Sequence, residues 1–480
     1  MRVDDYAARD GLELAALVHA GEVSPAELLD CALRMAEARN PPLNALCHLC
    51  PEAAMEAARA ARPKGTFGGL PFLLKDSGLA STFLPSSVGS RLFAGMTSAN
   101  DATLQSRFLA DGFLPFGRTT VPEFCMAPTT EAVQNGGPTR NPWDLRRSSG
   151  GSSGGAAVAV ATGIVPVAHG SDGGGSIRIP ASCCGVYGMK PSRGLIPHGP
   201  LRGEGWGGLA VDGVLSRTVR DTAAALDGIA GMEPGQPHAA PERPESYLSR
   251  LELPFARPLR IARWTEAWDG IGIAPDCLRA VTAAGELLEN LGHEVVDVAP
   301  PALKYSAFIG AIIDVMGASV ALTVNGFLRQ KPVVDLSACL EPAILDAYHR
   351  GRRLTAETYA LAINRFHSIG RIMADHMQGF DIVLTPTLTQ LPAMLGTLGM
   401  DGDFESFRRK AGRYTAFLAI LNASGQPAAS LPLHWTDDGL PVGVQIVGRF
   451  GAEDMLLRLS AQLEAAAPWR GHYARLAAWR

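Results

Sequence analysis

Leu12, Leu14, Leu17 and Val18 recur at the spacing of one helical face, and Leu28, Leu29, Leu33 and Ala36 resume the pattern after a short break. At the break stands Ser24-Pro25-Ala26-Glu27, a serine cap followed by proline at the first helical position. Residues 10–61 therefore read as helical. The texture then changes: Leu70-Pro71-Phe72-Leu73-Leu74 is a continuous apolar run that ends in Lys75-Asp76, as a buried strand ends at a site. Residues 104–116 predict a helix and then a strand, punctuated by Ala110-Asp111-Gly112. Helices are expected over 156–161 and 221–230. A strand over 259–264, a helix over 277–291 and a strand over 294–298 form a βαβ-like unit. Beyond it come helices over 307–327 and 356–377, a buried strand over 380–384, apolar strand-like runs over 428–433 and 442–447, and an amphipathic helix through Glu464. The alternation predicts an α/β architecture with a largely covered sheet. No internal repeat interrupts it.

This pattern divides the chain into an N-terminal helical segment (1–62), a core (63–232), a connection (233–258) rich in proline and charge, and a C-terminal part (259–480) that completes the same α/β domain. The 480 residues carry 43 Lys plus Arg against 47 Asp plus Glu, a net charge of −4, which lacks the basic excess that neutralising nucleic-acid phosphates requires. Hydrophobic residues make up 47%, which excludes a disordered chain. The most apolar stretches, 155–168 and 307–324, are interrupted by Pro166 and Asp314, so neither supplies the ~20 clean apolar residues of a membrane span. With no charged-then-apolar segment at Met1–Asp5, the expectation is a soluble, cytoplasmic protein. Its eight cysteines then read as thiols rather than a disulfide framework. Cys47-His48-Leu49-Cys50 has the spacing of a zinc knuckle, but no second ligand pair follows, so no metal is expected.

The 53 glycines cluster. Ser149-Gly150-Gly151-Ser152-Ser153-Gly154-Gly155 is followed, across an apolar stretch, by His169-Gly170-Ser171-Asp172-Gly173-Gly174-Gly175-Ser176-Ile177-Arg178. Three glycines before a serine let backbone N–H groups approach a ligand closely, as an oxyanion hole beside a nucleophile demands. A flexible linker would not be embedded between apolar elements or studded with Asp172 and Arg178. Neither cluster has the Gly-Lys-Ser/Thr of a phosphate-binding loop. Residues 151–155 satisfy G-x-S-x-G, but that elbow must follow a strand directly, and residues 141–148 carry no strand pattern.

These residues carry a family resemblance. Residues 150–155, then Gly173-Gly174-Gly175-Ser176-Ile177-Arg178 and Cys184-Gly185-Val186-Tyr187-Gly188-Met189-Lys190-Pro191, resemble the amidase signature. So do Gly69-Leu70-Pro71-Phe72-Leu73-Leu74-Lys75-Asp76 upstream and Thr385-Pro386-Thr387, Gly425-Gln426-Pro427-Ala428 and residues 439–445 downstream. The motifs agree in order over nearly the whole chain. The blocks at 140–143, 169–172, 179–182 and 443–447 look most like bacterial amidases of the 6-aminohexanoate cyclic-dimer hydrolase type. The chain departs from the family where Arg118-Thr119-Thr120 stands in place of Lys-Thr-Asn.

The resemblance implies a central mixed, twisted sheet covered by helices on both faces, and a Ser–cis-Ser–Lys triad. Ser176 would attack an amide carbonyl, Ser152 after a cis peptide bond would relay the proton, and Lys75 would be the base. A serine hydroxyl needs such a base, and burial among Leu70, Phe72, Leu73 and Leu74 would lower the pKa of Lys75 towards neutrality, with Asp76 opposing if it faced the same side. Backbone N–H groups around Gly173, Gly174 and Gly175 would hold the oxyanion, each such donor being worth about 3 kcal/mol. Asp172 and Arg178 read as a structural charge pair and His169 as a packed histidine beneath the loop. Met126 and Gly150 are expected to touch substrate. The segments 124–130, 308–328 and 394–407, largely apolar, would shape a pocket for hydrophobic, aryl or nylon-like amides, with esters or carbamates as side substrates. The implied protein is a homodimer without cofactor, acting on a small molecule. The rival readings are the A subunit of a tRNA-dependent amidotransferase and a catalytically silent scaffold of the same fold. Residues 77–85 do not resemble that subunit's polar segment, and the filled triad positions argue against the scaffold.

Overall fold

The apolar run before Lys75 forms the strand Leu70–Lys75, with all six residues buried. In the computed structural model, which describes residues 1–332 and 334–478, this strand pairs parallel with Phe113–Thr119, and Leu46–Cys47 adds antiparallel on the far side. The helix Thr103–Ala110 feeds Phe113–Thr119 through Asp111 and Gly112. Gly112 takes a φ of +90°, which an L side chain rarely adopts. The expected serine cap is a full capping box: Ser24 Oγ accepts from Glu27 N, and the Glu27 carboxylate accepts from Ser24 N, at the head of Pro25–Leu43.

The main sheet has eight strands, in spatial order Glu294–Asp297, Arg260–Arg263, Ile382–Pro386, Pro441–Gly448, Ala428–Trp435, Tyr187–Lys190, Val211–Ser216 and Val167–Asp172. The first three run parallel, the remaining pairings are antiparallel, and the sheet is mixed, as expected. Arg260–Arg263, the helix Pro275–Asn290 and Glu294–Asp297 make the βαβ unit, with Ile261 level with Val295. Val211–Ser216 joins Tyr187–Lys190 to Val167–Asp172, so the strand leading into the glycine-rich loop is an edge strand. Between residues 233 and 258 the turn Leu248–Arg250 is the one regular element among the described residues. Residues 333, 479 and 480 of the C-terminal part lie outside the described ones.

Two apolar cores result. One lines the sheet and the N-terminal helices. The other gathers around Tyr305–Gln330, Pro342–Arg353 and Ala356–His376, and takes in Phe93, Phe124 and Met126. Tyr305–Gln330 is longer than the interrupted run 307–324 suggested: its 26 residues are long and apolar enough to cross a membrane, yet 61% of its most apolar window is buried in the protein. Asp314, the interruption, pairs with Arg350 at 2.8 Å.

One expectation fails. Residues 141–148 do contain a strand: Asp144–Ser148 pairs antiparallel with Arg140–Asn141. No apolar alternation announces it, because polar contacts hold it: Asp144 against Arg146 and Arg147, and Ser148 N against the Ala393 carbonyl. The elbow reading of 151–155 gains nothing from this strand, since its central serine, Ser153, is fully buried and spends its hydroxyl on the Ser171 carbonyl.

Candidate active site

Strand alternation sends Lys75 and Asp76 in opposite directions. Lys75 is fully buried, and its Nζ lies 2.8 Å from Ser152 Oγ, 2.8 Å from Ser171 Oγ and 3.0 Å from the Ser171 carbonyl. Burial drives its pKa down, against the opposing pull of the Cys125, Asp212 and Asp172 charges. Three contacts suit a neutral amine. The carbonyl can only accept, so it takes one N–H, and the other N–H and the lone pair are left for two hydroxyls, each able to give or to take a proton. Asp76 points away and accepts from Ser86 Oγ, from Ser87 N and Oγ, and from Gly89 N. Burial raises its pKa, but His48, Arg118 and the two serines outweigh that and hold it well below the usual carboxylate range. Arg118, at the departure from the family pattern, is buried and donates to the carbonyls of Lys75, Leu79, Leu84 and Pro85, fixing the chain on both sides of Asp76.

The peptide bond between Gly151 and Ser152 is cis. Gly151 is pressed against the Thr129 backbone, where a Cβ would collide, and Thr130 Oγ1 donates to the Gly150 carbonyl at 2.9 Å. Ser153 N donates to the Ser176 carbonyl at 3.2 Å, which ties the first serine cluster to the second.

Asp172 organises the second cluster. Burial raises its pKa, but the Arg178 guanidinium more than reverses this. Arg178 Nε and Nη2 each reach the carboxylate at 2.9 Å, so the expected charge pair is present and is buried. The same carboxylate accepts from Gly175 N at 2.6 Å, Ile177 N at 3.2 Å and Asn422 Nδ2 at 2.9 Å. The loop carrying Ser176 is thus folded around one carboxylate. This also revises the oxyanion expectation: the Gly175 N–H is spent on Asp172, whereas those of Gly173 and Gly174 take no partner among the described residues. His169 is buried, with Nδ1 accepting from Lys75 N at 3.1 Å and Nε2 3.0 Å from Asp212 Oδ1. Both ring nitrogens are occupied structurally.

Ser152, Ser171, Gly173 and Ser176 open on one cavity of about 450 Å³. Of the residues expected to shape it, Phe124, Cys125, Met126 and Ser319, Leu322 and Thr323 do so. Gly150 does not; it packs against Pro180, where a Cβ would stand 2.8 Å from Pro180 Cα. Met394, Thr397 and Leu398 line a separate cavity with Arg147, Lys410 and Arg413. The missing wall comes from an unexpected segment, the glycine-rich flap between Tyr187–Lys190 and Val211–Ser216. It contributes His198, Arg202, Glu204 and Trp206, and Asp212 follows it, so the wall is more polar than expected. The Trp206 ring lies so close over Gly173 that a Cβ there would meet it at 2.5 Å. Only the density of Gly and Pro in 199–208 hinted at this flap. Cys125, from the expected segment, lies beside Ser152 and Lys75, and burial pushes its thiol pKa up.

Elsewhere, Cys47, His48 and Asp76 bring three potential ligand atoms within 4.8 Å of one another. The set differs from the Cys47/Cys50 pairing suggested by spacing. Both Asp76 oxygens are already engaged by hydroxyl and backbone donors.

The whole arrangement has counterparts among known proteins. Residues 27–457 match the family model described as Amidase. The 6-aminohexanoate-cyclic-dimer hydrolase of Paenarthrobacter ureafaciens is 36% identical over 475 residues, 96% of this chain and 95% of that protein. A solved structure of 6-aminohexanoate cyclic dimer hydrolase with its substrate superposes with a TM-score of 0.90 at 34% identity, covering 97% of this chain and 98% of the other. A bacterial aryl acylamidase follows at 0.88 and 27% identity, each chain covered to 98%. The glutamyl-tRNA(Gln) amidotransferase A subunit from Thermotoga maritima superposes less closely, at 0.74 and 27% identity over 93% of this chain and 92% of that one. The chain belongs to the amidase signature family and is an amide-hydrolysing enzyme of that family.

Proposed function

We propose that the protein cleaves carbon–nitrogen bonds of small amides through an acyl-enzyme on Ser176. The observation that carries this reading is the 2.8 Å contact between the buried Lys75 Nζ and Ser152 Oγ, in a wall shared with Ser176. Lys75, desolvated and neutral, draws the Ser152 proton, and Ser152 Oγ in turn takes the proton of Ser176 as the latter attacks the carbonyl. Ser176 Oγ makes no hydrogen bond among the described residues, so this step requires it to close on Ser152 when substrate enters. The N–H groups of Gly173 and Gly174 are available for the oxyanion. The relay then returns the proton to the leaving amine, and water releases the acyl group by the same path. Phe124, Met126, Trp206 and Leu322 favour a hydrophobic, aryl or nylon-like amide, in keeping with the names of the relatives. The same reading takes the enzyme as a cytoplasmic homodimer without cofactor, and it does not favour the amidotransferase role.

The test is intact-mass labelling with a fluorophosphonate on the native chain and on Ser176→Ala, Ser152→Ala and Lys75→Ala. One adduct on the native chain, absent in Ser176→Ala and slowed in the other two, is expected. Labelling that persists in Ser176→Ala would place the nucleophile elsewhere, and none at all would favour the silent scaffold.

A further inference from the structure

Four ionisable side chains enter the wall of the Ser176 cavity from the flap and its flanks: His198, Arg202, Glu204 and Asp212. Three are matched. Asp212 sits between His169 and His198, at 3.0 and 3.3 Å. Glu204 pairs with His238 at 2.9 Å, and the Arg193 guanidinium feels its charge on the same side of the flap. Arg202 has neither an ion pair nor a hydrogen bond among the described residues. Its cation nevertheless acts inward: it is one of the charges that lower the pKa of the Cys125 thiol, which lies beside Ser152. Val88, Phe124, Met126, Trp206 and Leu322 give the same cavity its apolar surface, beside the hydroxyls of Ser77, Ser319 and Thr323.

An unpaired guanidinium in a cavity that also offers apolar surface suits an apolar chain that ends in a carboxylate, because the planar fork of arginine binds a carboxylate through two parallel hydrogen bonds. Building on the amidase reading above, we propose that Arg202 reads a free carboxylate on the substrate, remote from the scissile bond, and that the preferred substrates are amides of apolar chains bearing such a group. Arg202 is a specificity-determining residue here; it takes no part in the proton relay.

Two matched pairs of substrates test this. Adipic acid mono-4-nitroanilide against heptanoyl 4-nitroanilide places the carboxylate on the acyl side. N-hexanoyl-6-aminohexanoate against N-hexanoylhexylamine places it on the amine side. In at least one pair the acid is expected to show a kcat/KM about tenfold above its neutral partner, carried mainly by KM, as one charge-assisted contact supplies. That ratio should fall towards one in Arg202→Gln, be partly kept in Arg202→Lys, and shrink with added salt because Arg202 is exposed. No preference in either pair, or a preference that survives Arg202→Gln, would overturn the proposal. Calorimetric binding of the same acids to Ser176→Ala and to Ser176→Ala/Arg202→Gln separates it from the hydrolase reading. Tighter binding that depends on Arg202, together with a native chain that turns over no amide of either pair, would uphold the carboxylate reading and count against the hydrolase one. Equal binding by both variants would sink the carboxylate reading whatever the turnover.

Discussion

Replacing Asp172 with asparagine changes one oxygen to an NH2 group, and the structure says what that costs. Oδ1 accepts from Gly175 N, Arg178 Nη2 and Asn422 Nδ2, and Oδ2 from Ile177 N and Arg178 Nε. Whichever way the amide is turned, its NH2 faces at least two donors, and the Arg178 charge is left fully buried without a counter-ion. Breaking a buried pair from one side typically costs about 3–5 kcal/mol. Arg178 keeps Gln445 Oε1 at 2.8 Å and Asn422 Oδ1 at 2.7 Å, which places the expected loss towards the lower figure. Since the same carboxylate pins Gly175 and Ile177 around Ser176, the folded fraction should also lose about a hundredfold in kcat, as a displaced reacting group does. Urea unfolding followed by far-UV circular dichroism, with amide hydrolysis assayed well below the transition, reads both. The double variant Asp172→Leu/Arg178→Met removes both charges and should unfold at higher urea than Asp172→Asn. A loss below about 1 kcal/mol in Asp172→Asn, or a double variant no more stable than the single one, would refute the view that this loop is held by a buried charge pair.

Three further outcomes are expected. Because burial lowers the pKa of Lys75, kcat/KM should rise with pH along a limb whose midpoint lies below the ~10.4 of ordinary lysine, and Lys75→Met should abolish the activity; a limb at or above that value would mean the amine is not desolvated in solution. Gly173→Ala drives a methyl into the Trp206 ring, so kcat/KM should fall about tenfold or more, with part of it restored in Gly173→Ala/Trp206→Ala; an unaffected single variant would show that the flap does not rest on the loop. Burial raises Glu123 from 4.5 to about 7, against the opposing bonds from Ser90 and Glu341 N. Its protonated form is therefore favoured in the fold, so that stabilisation is complete below about pH 4.5 and lost as pH rises through 7. Glu123→Gln should flatten the fall in stability over that window by up to about 3 kcal/mol, read from unfolding midpoints at pH 5 and 8.

How much of this was legible in the sequence depended on how local each signal was. Leu70–Lys75, Thr103–Ala110 and Pro25–Leu43 announce themselves through runs, periods and caps, and they stand where expected. The helices Pro342–Arg353 and Phe404–Tyr414 do not stand out, because only four and five of their residues are buried and the rest of each is polar. Asp144–Ser148 is held by charges rather than by alternation. In the site, Lys75, Ser152 and Ser176 could be picked out as a set only because three separated motifs agree with one family. The hydrogen bonds of Lys75 Nζ span 77 residues and more, beyond anything periodicity reports. His198, Arg202 and Trp206 escaped because a flap rich in Gly and Pro reads as a connection, and nothing in its composition says what it covers.

The site's electrostatics rest on a segregation that no single motif contains. Three buried carboxylates, Asp76, Asp172 and Asp212, surround Lys75, and any of them within contact would keep it charged and useless as a base. Each is claimed by other partners. Asp76 is turned to the opposite side of the strand, onto Ser86, Ser87 and Gly89. Asp172 is locked to Arg178, and Asp212 is shared by His169 and His198. The charges of Asp172 and Asp212 still reach Lys75 and still raise its pKa, but as screened, distant fields that burial outweighs. What remains within contact of Nζ is two hydroxyls and a carbonyl, all neutral. Burial therefore lowers the lysine's pKa with no anion in contact to reverse it, and the carboxylates are held away from it by Arg178, His169, His198 and the alternation of one strand.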